Sequence, residues 1–331
     1  MTFVMGLAAC GGSPSTTPTT APASPPASVV PVATATPSGT PSAGTWIDGA
    51  SLPTAASEVG TALLDNRIHV LGGYVNGHPG STTHLVYDIS AGTWKTAAPL
   101  PDALDHVAAI ATTGAVYAIG GYDTRGATTG VYRYDPQTDA WTAKASIPDA
   151  RAAAAVVLLQ GKIHLIGGRD TRGDVRSHDV YDPATDRWST AAPMPTARDH
   201  AAFAVLDGTI HVVGGRPGSL TAHEVYDPGT DAWTTAAPLP AGRNSCAGVV
   251  LGGALWVLGG EDPKETRVYP ETWRYDPVTD RWSAGPPLPV AVQGAGAVAV
   301  DNRIYLPGGG PVAGGSRQSA RLQVFMIQTT S

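Results

Sequence analysis

The side chains of this 331-residue chain with most chemistry to offer are nine histidines, two cysteines and a set of arginines that recur at fixed offsets. His69, His164 and His211 each stand three residues before a pair of glycines, and Tyr117, Trp256 and Tyr305 hold the same place before three other pairs. A position that accepts His, Tyr or Trp asks for a large flat ring, so packing is expected there rather than metal ligation. His84, His178 and His223 recur three residues before a tyrosine and take the same reading. Equivalent residues of a repeat stand far apart, one per blade, and cannot easily converge on one metal away from the axis; no compact zinc or calcium spacing occurs, and no metal and no cofactor is expected. A Gly-x-Ser-x-Gly elbow, a phosphate-cradling glycine loop and a paired His-Glu helix motif are all missing, and no catalytic residue is assigned. Cys246 reads as an inert thiol turned into packing rather than a nucleophile. Arg151, Arg198 and Arg243 have two readings: pinning a loop to nearby carbonyls, or gripping an anionic group with a forked donor.

What must position these residues is a repeat. Glycine pairs begin at 72, 120, 167, 214, 259 and 308, each 26 residues after a tryptophan at 46, 94, 141, 188, 233 or 282. Tyr87-Asp88, Tyr134-Asp135, Tyr181-Asp182, Tyr226-Asp227 and Tyr275-Asp276 each begin seven residues before the next tryptophan. A fixed period close to 50 is the mark of a propeller or an array. Each unit reads as four strands. A run of small residues such as AAFAV suits a crowded innermost position; a two-residue turn such as Asp207-Gly208 follows; an alternating run then ends in the glycine pair. The third strand ends at Tyr-Asp, and a YDPxTDxW turn leads into a fourth that carries the tryptophan.

Composition bounds the rest. A net charge of −6 without a basic cluster argues against nucleic acid and against a polybasic membrane surface. Two cysteines, Cys10 and Cys246, exclude a disulfide framework. Leu7-Ala8-Ala9-Cys10 resembles the lipobox of bacterial lipoproteins, which makes residues 1–10 a signal remnant with Cys10 as the lipidated mature terminus. The apolar run departs from a signal peptide in having no Lys or Arg before it. Residues 11–43, nearly all Gly, Ser, Thr, Pro, Ala and Val, read as an uncharged extended spacer. The folded domain is expected over 44–331, placed in the bacterial cell envelope, outside the cytoplasm, either secreted or tied to a membrane only through Cys10.

The double glycine, the tyrosine and the tryptophan at these offsets resemble the Kelch repeat over about residues 45 to 331. The resemblance implies an all-β, six-bladed β-propeller with four antiparallel strands per blade. The sixth unit has Val324-Phe325 at the place of the tyrosine pair, a tryptophan seven residues further on would be residue 332, and Trp46 has no unit before it. The segment around Thr45 to Asp48 is therefore expected to supply the outermost strand of the last blade, pairing near Arg321 to Ile327 and closing the ring.

Within that frame the turn at Asp207-Gly208 lies midway between His200 and Gly215, so His200 and Arg216 should emerge on one face at the mouth of the channel. Round the ring the first such position reads Glu58, His106, Ala153, His200, Ser245, Gly294, and the second Tyr74, Tyr122, Arg169, Arg216, Glu261, Gly310. Variation inside a repeating frame is what a ligand-facing rim would show, and in Kelch proteins that bind peptides the matching positions line the pocket. The resemblance thus implies a monomeric binding module for a protein segment or a glycan, with Glu58, Tyr74, His106, Tyr122, Arg169, His200, Arg216, Ser245 and Glu261 as rim candidates. Copper oxidases built on Kelch blades use a cysteine-tyrosine pair with histidines, which this chain does not reproduce. Bacterial N-acetylneuraminate epimerases supply the enzymatic alternative, in which Glu58 or Glu261 with His200, Arg169 and Arg216 would act on a sugar carboxylate.

Overall fold

The computed structural model describes residues 44–328 apart from 263 and 265. Among them are six four-stranded antiparallel sheets, one per repeat, and a single turn of 3-10 helix at Ala313–Gly315. Blade one is built from Gly60–Leu64, Arg67–Leu71, His84–Asp88 and Thr93–Thr96, and blades two to five repeat that order. Blade six takes Val298–Val300, Arg303–Pro307 and Leu322–Ile327 from the end of the chain, and its outer strand, Gly44–Asp48, from the beginning. The register runs from Gly44 opposite Ile327 to Asp48 opposite Gln323, so the expected closure is observed. Pro307, which cannot donate to a ladder, sits at the last position of its strand. Most of the six two-residue turns between first and second strands have the positive φ that a type I′ turn demands, as at Asp65-Asn66 (47° and 60°) and Gln160-Gly161 (50° and 75°).

The recurring residues join one blade to the next. In blade three the Asp186 carboxylate, held at a left-handed φ of 54°, accepts from the Tyr181 hydroxyl at 2.6 Å and from the backbone N–H of Ala145 in the preceding blade at 2.9 Å. Trp188 Nε1 then donates to the carbonyl of the same Ala145 at 2.8 Å. Asp139, Asp231 and Asp280, with Trp141, Trp233 and Trp282, repeat the arrangement on Ala98, Ala192 and Ala237. The final aspartate of YDPxTDxW is thus an interblade staple, which explains why Tyr, Asp and Trp travel together.

The glycine pair works on the inner side of the same joint. Gly167 (φ 59°) passes so close to the next blade that an added Cβ would stand 2.6 Å from the Arg198 carbonyl, and Gly168 N–H donates to that carbonyl at 2.9 Å. No side chain fits there.

The repeated histidines fill the middle of three blades as expected, but as hydrogen-bonded pairs: His69 with His84 at 2.9 Å, His164 with His178 and His211 with His223 at 2.8 Å. The second ring of each pair meets edge-on the tyrosine of the next blade, with centroids 4.5 Å apart for His84 and Tyr134. All six rings are buried, and burial pushes their pKa values down, to about 3 for His69 and about 4 for the others. They are neutral packing groups at neutral pH.

Candidate binding site at the channel mouth

The six first rim positions share one backbone conformation. Glu58, His106, Ala153, His200 and Ser245 have φ between 51° and 53°, and Gly294 has 59°. Left-handed backbone at non-glycine residues is unusual, and its recurrence five times marks a conformation imposed by the fold. A ring of hydrogen bonds imposes it. The N–H of His106 donates to the carbonyl of Glu58, Ala153 to His106, His200 to Ala153, Ser245 to His200, Gly294 to Ser245 and Glu58 back to Gly294, at 2.6–3.1 Å. This closed circuit round the axis brings side chains from different blades together at its centre.

The preceding residue in each blade is buried and pairs with the residue after the glycines: Ser57 with Tyr74, Asp105 with Tyr122, Ala152 with Arg169, Asp199 with Arg216, Asn244 with Glu261 and Gln293 with Gly310. The two rim sets read from the sequence are therefore one structure, an axial ring and a surrounding collar. Inside the ring the innermost strands leave a cavity of about 140 Å³, walled by residues such as Val59, Ala154 and Phe203. On the outer side lies a pocket of about 480 Å³ lined by Tyr74, Tyr122, Arg169, Asp174, Arg216 and Pro217, with His106 bordering both spaces.

At the axis Glu58 Oε2 lies 3.2 Å from His106 Nε2 and 3.9 Å from His200 Nε2. His106 Nδ1 meets Asp105 at 2.5 Å, and His200 Nδ1 meets Asp199 at 3.2 Å. Burial lowers the pKa of both rings. At His106 the charges of Glu58 and Asp105 overcome burial and raise the pKa, whereas at His200 burial wins and it falls. Burial pushes the Asp199 carboxyl up, but His200 and Arg216 outweigh it and hold the carboxyl well below the usual range. Burial raises Glu261, with Arg216 acting against it, and Glu261 accepts from the Gly314 N–H at 2.7 Å. The Tyr74 hydroxyl is pushed up to about 12 by its burial, so it stays a neutral donor.

Among the rim candidates, Glu58, His106, His200 and Arg216 are in direct contact, Tyr74 and Tyr122 stand edge-on to His106, and Arg169 lies across the pocket. Ser245 is buried in the ring and Glu261 in the collar. Arg169 donates to Asp174 at 2.7 Å through Nη1, and Arg216 donates to Asp199 at 2.9 Å through Nε; each keeps further N–H groups for a ligand.

Arg151, Arg198 and Arg243 do not line the pocket, which corrects the anion-binding reading in favour of the pinning one. Their side chains are buried, and each already holds partners within its own blade. Arg151 pairs with Asp179, Arg198 pairs with Glu224 at 3.0 Å, and Arg243 donates to the carbonyls of Gly259 and Glu271 at 3.0 Å over the Tyr269 ring. Cys246 is buried as expected, and burial pushes its thiol up to about 11. Cys10 lies outside the described residues.

One part of the site escaped the reading of the sequence. Asp105 and Asp199 were missed, although each immediately precedes a rim histidine and the Asp-His pair occurs twice at the same place in the repeat. The rule that equivalent residues stand far apart away from the axis holds for the histidine pairs; at the axis, the exception to it, six equivalent positions meet.

Six four-stranded blades joined by double glycines and Tyr-Asp-Trp staples make this protein a Kelch-type β-propeller. The chain belongs to the family described as the KLHDC2/KLHL20/DRC7 Kelch-repeats domain, whose model matches residues 48–215 and 143–310. It is also similar to a solved structure entitled "Structure of YjhT", with a TM-score of 0.72 and 17% identity, over 85% of this chain and 99% of that one; what the two share is the fold. No curated protein matches the chain.

Proposed function

We propose that this propeller is a binding module that takes a protein segment at the channel mouth and holds it by an anionic group. The observation that carries the reading is the pocket of about 480 Å³ lined together by Arg169 and Arg216, each with N–H groups to spare, and by the hydroxyl-bearing rings of Tyr74 and Tyr122. A guanidinium presents a planar fork to a carboxylate, and tyrosine offers contact area at low entropic cost. Kelch propellers are commonly protein-interaction modules, which favours a protein segment over a glycan as the occupant. The test is an array of short peptides with free or amidated C-termini, beside acidic sugars including sialic acids and cell-wall fragments. Binding of free-carboxylate peptides that Arg216→Ala removes supports the reading; retention of sugars alone would transfer the pocket to a glycan.

One observation favours a second reading. Glu261 is a buried carboxyl of raised pKa beside Arg216 and Glu58, which is what acid-base chemistry on a sugar carboxylate would need. It predicts turnover of an acidic sugar that Glu261→Gln abolishes without weakening its binding.

The envelope location belongs to the same proposal. A lipid on Cys10 and a spacer over 11–43 would hold the binding face away from a membrane, and Cys10→Ala should then release the protein from the membrane fraction of a bacterial host.

A further inference from the structure

Three of the six axial positions carry long side chains, and three carry almost nothing. Glu58, His106 and His200 project inward beside Ala153, Ser245 and Gly294, and one donor atom from each of the three lies within 4.8 Å of the others. The ring of backbone hydrogen bonds fixes where each donor starts, and the small neighbours leave the centre open. Both histidines are oriented from behind by a carboxylate on Nδ1, Asp105 at 2.5 Å and Asp199 at 3.2 Å. An ionised carboxylate only accepts, so at His106 Nδ1 carries a hydrogen toward Asp105 and Nε2 is left to face the axis, while His200 Nδ1 meets Arg216 Nη2 at 2.5 Å as well as Asp199. His106 Nε2 faces an oxygen of Glu58 at 3.2 Å, a contact that needs a positive charge between the two atoms, a proton on the ring when the site is empty and a metal ion when one is bound. The side chains of Glu58, Asp105 and Asp199 are 9%, 7% and 1% exposed, and Arg216 is the guanidinium bonded into this group. A buried cluster with this excess of negative charge calls for a cation.

We propose that the axis of the ring is a divalent transition-metal site, zinc by its donors, with Glu58 Oε2, His106 Nε2 and His200 Nε2 as ligands. Two imidazoles and a carboxylate with one open position form a donor set that zinc accepts, and carboxylates behind both imidazoles are the usual outer support. Zinc bonds of about 2.0–2.1 Å in a tetrahedron set ligand atoms ~3.3 Å apart. The Glu58–His106 separation of 3.2 Å already meets that; His200, 3.9 Å from Glu58 and within 4.8 Å of His106, must turn inward to complete the triangle. Arg216 Nη2 stands 2.7 Å from His200 Nε2 and occupies the approach. Its side chain is 36% exposed, so the guanidinium can turn toward the pocket, giving up the 3.3 Å contact of Nη2 with Asp199 along with that to His200. The fourth coordination position then opens toward that pocket. The site stands whatever the pocket binds, since its ligands sit in the floor rather than the wall.

The test uses the full chain with any affinity tag removed, stripped with chelator and titrated with Zn²⁺ by calorimetry and with Co²⁺ by visible absorption. One equivalent of zinc is expected, with a d–d band for cobalt at low coordination number. Glu58→Gln and His106→Gln should abolish both, and Asp105→Asn should weaken zinc about 10–100-fold. Circular dichroism and thermal unfolding verify each fold; should His106→Gln fail to fold, Glu58→Gln and Asp105→Asn decide the matter. A wild-type chain that takes up no zinc overturns the proposal. So does zinc held with equal stoichiometry and affinity by Glu58→Gln, since the ion would then lie on other histidines.

Discussion

Acid should unfold this protein through its three buried histidine pairs. Six rings whose folded pKa values lie at about 3 to 4, against 6.5 for the free side chain, stay neutral in the blades and take up protons once the chain unfolds. Their contribution is complete above pH 6.5 and is lost as the pH falls toward 4. With all six protonating only in the unfolded chain, stability falls by ~8 kcal/mol per pH unit below about pH 6, and at pH 5 the loss is ~12 kcal/mol. That is comparable with the whole stability of a typical domain, about 5–15 kcal/mol, so half-unfolding is expected near pH 5. His106, whose pKa is raised, opposes this as a single group, and the lowered aspartates, such as Asp186, release stability only below about pH 4. The protein itself supplies a replacement pair, because blade two carries Tyr117 and Val131 at the same two places. In the double variant His164→Tyr with His178→Val, four rings remain, the slope drops to ~5 kcal/mol per pH unit and the acid midpoint falls by roughly 0.8 unit. Urea titrations followed by tryptophan fluorescence between pH 7 and 5 give both slopes. A wild-type slope under ~3 kcal/mol per pH unit, or equal slopes in the two proteins, would refute the reasoning.

Further expectations concern the joints between blades. Trp46→Ala removes the indole that packs 5.2 Å from Phe325 and donates to the Pro286 carbonyl, and should cost ~3 kcal/mol in urea unfolding. A chain beginning at Leu52 should melt well below one beginning at Gly44; equal melting temperatures would mean that the outer strand of blade six does not close the ring. Asp186→Ala strands the Tyr181 hydroxyl and the Ala145 N–H, and a loss of about 2–3 kcal/mol is expected, where a change under ~0.5 kcal/mol would deny the staple its role. Gly248→Ala places a Cβ about 2.5 Å from the Phe203 backbone in the neighbouring blade, and should lower the melting temperature with a cost of ~1–3 kcal/mol.

Features that every blade needs were legible in the sequence, and features that only the assembled ring needs were not. The glycine pair, the tyrosine and the tryptophan announce themselves because each blade meets its neighbour in the same way; the absence of a unit before Trp46 even revealed the closing strand. Glu58, His106 and His200 could be placed on the rim by counting from the turns. Their convergence rests on a left-handed backbone at five non-glycine residues, a conformation that Glu, His, Ala and Ser do not advertise and that ring closure imposes. Asp105 and Asp199 escaped notice because they appear in two blades only. Arg151, Arg198 and Arg243 showed the opposite ambiguity: an arginine pinning its own blade and one awaiting an anion look alike until burial and partners are known.

The pocket at the channel mouth is tested most directly by the affinity of the tightest free-carboxylate peptide from the array, compared with its amidated form, for the wild type, Arg169→Ala and Arg216→Ala. A charge-assisted hydrogen bond contributes about 1.5–3 kcal/mol, so amidation and each arginine substitution should weaken binding roughly 10–100-fold, with the double variant losing more. Equal affinity for acid and amide, or binding untouched by both substitutions, would contradict the assignment of the ligand to Arg169 and Arg216.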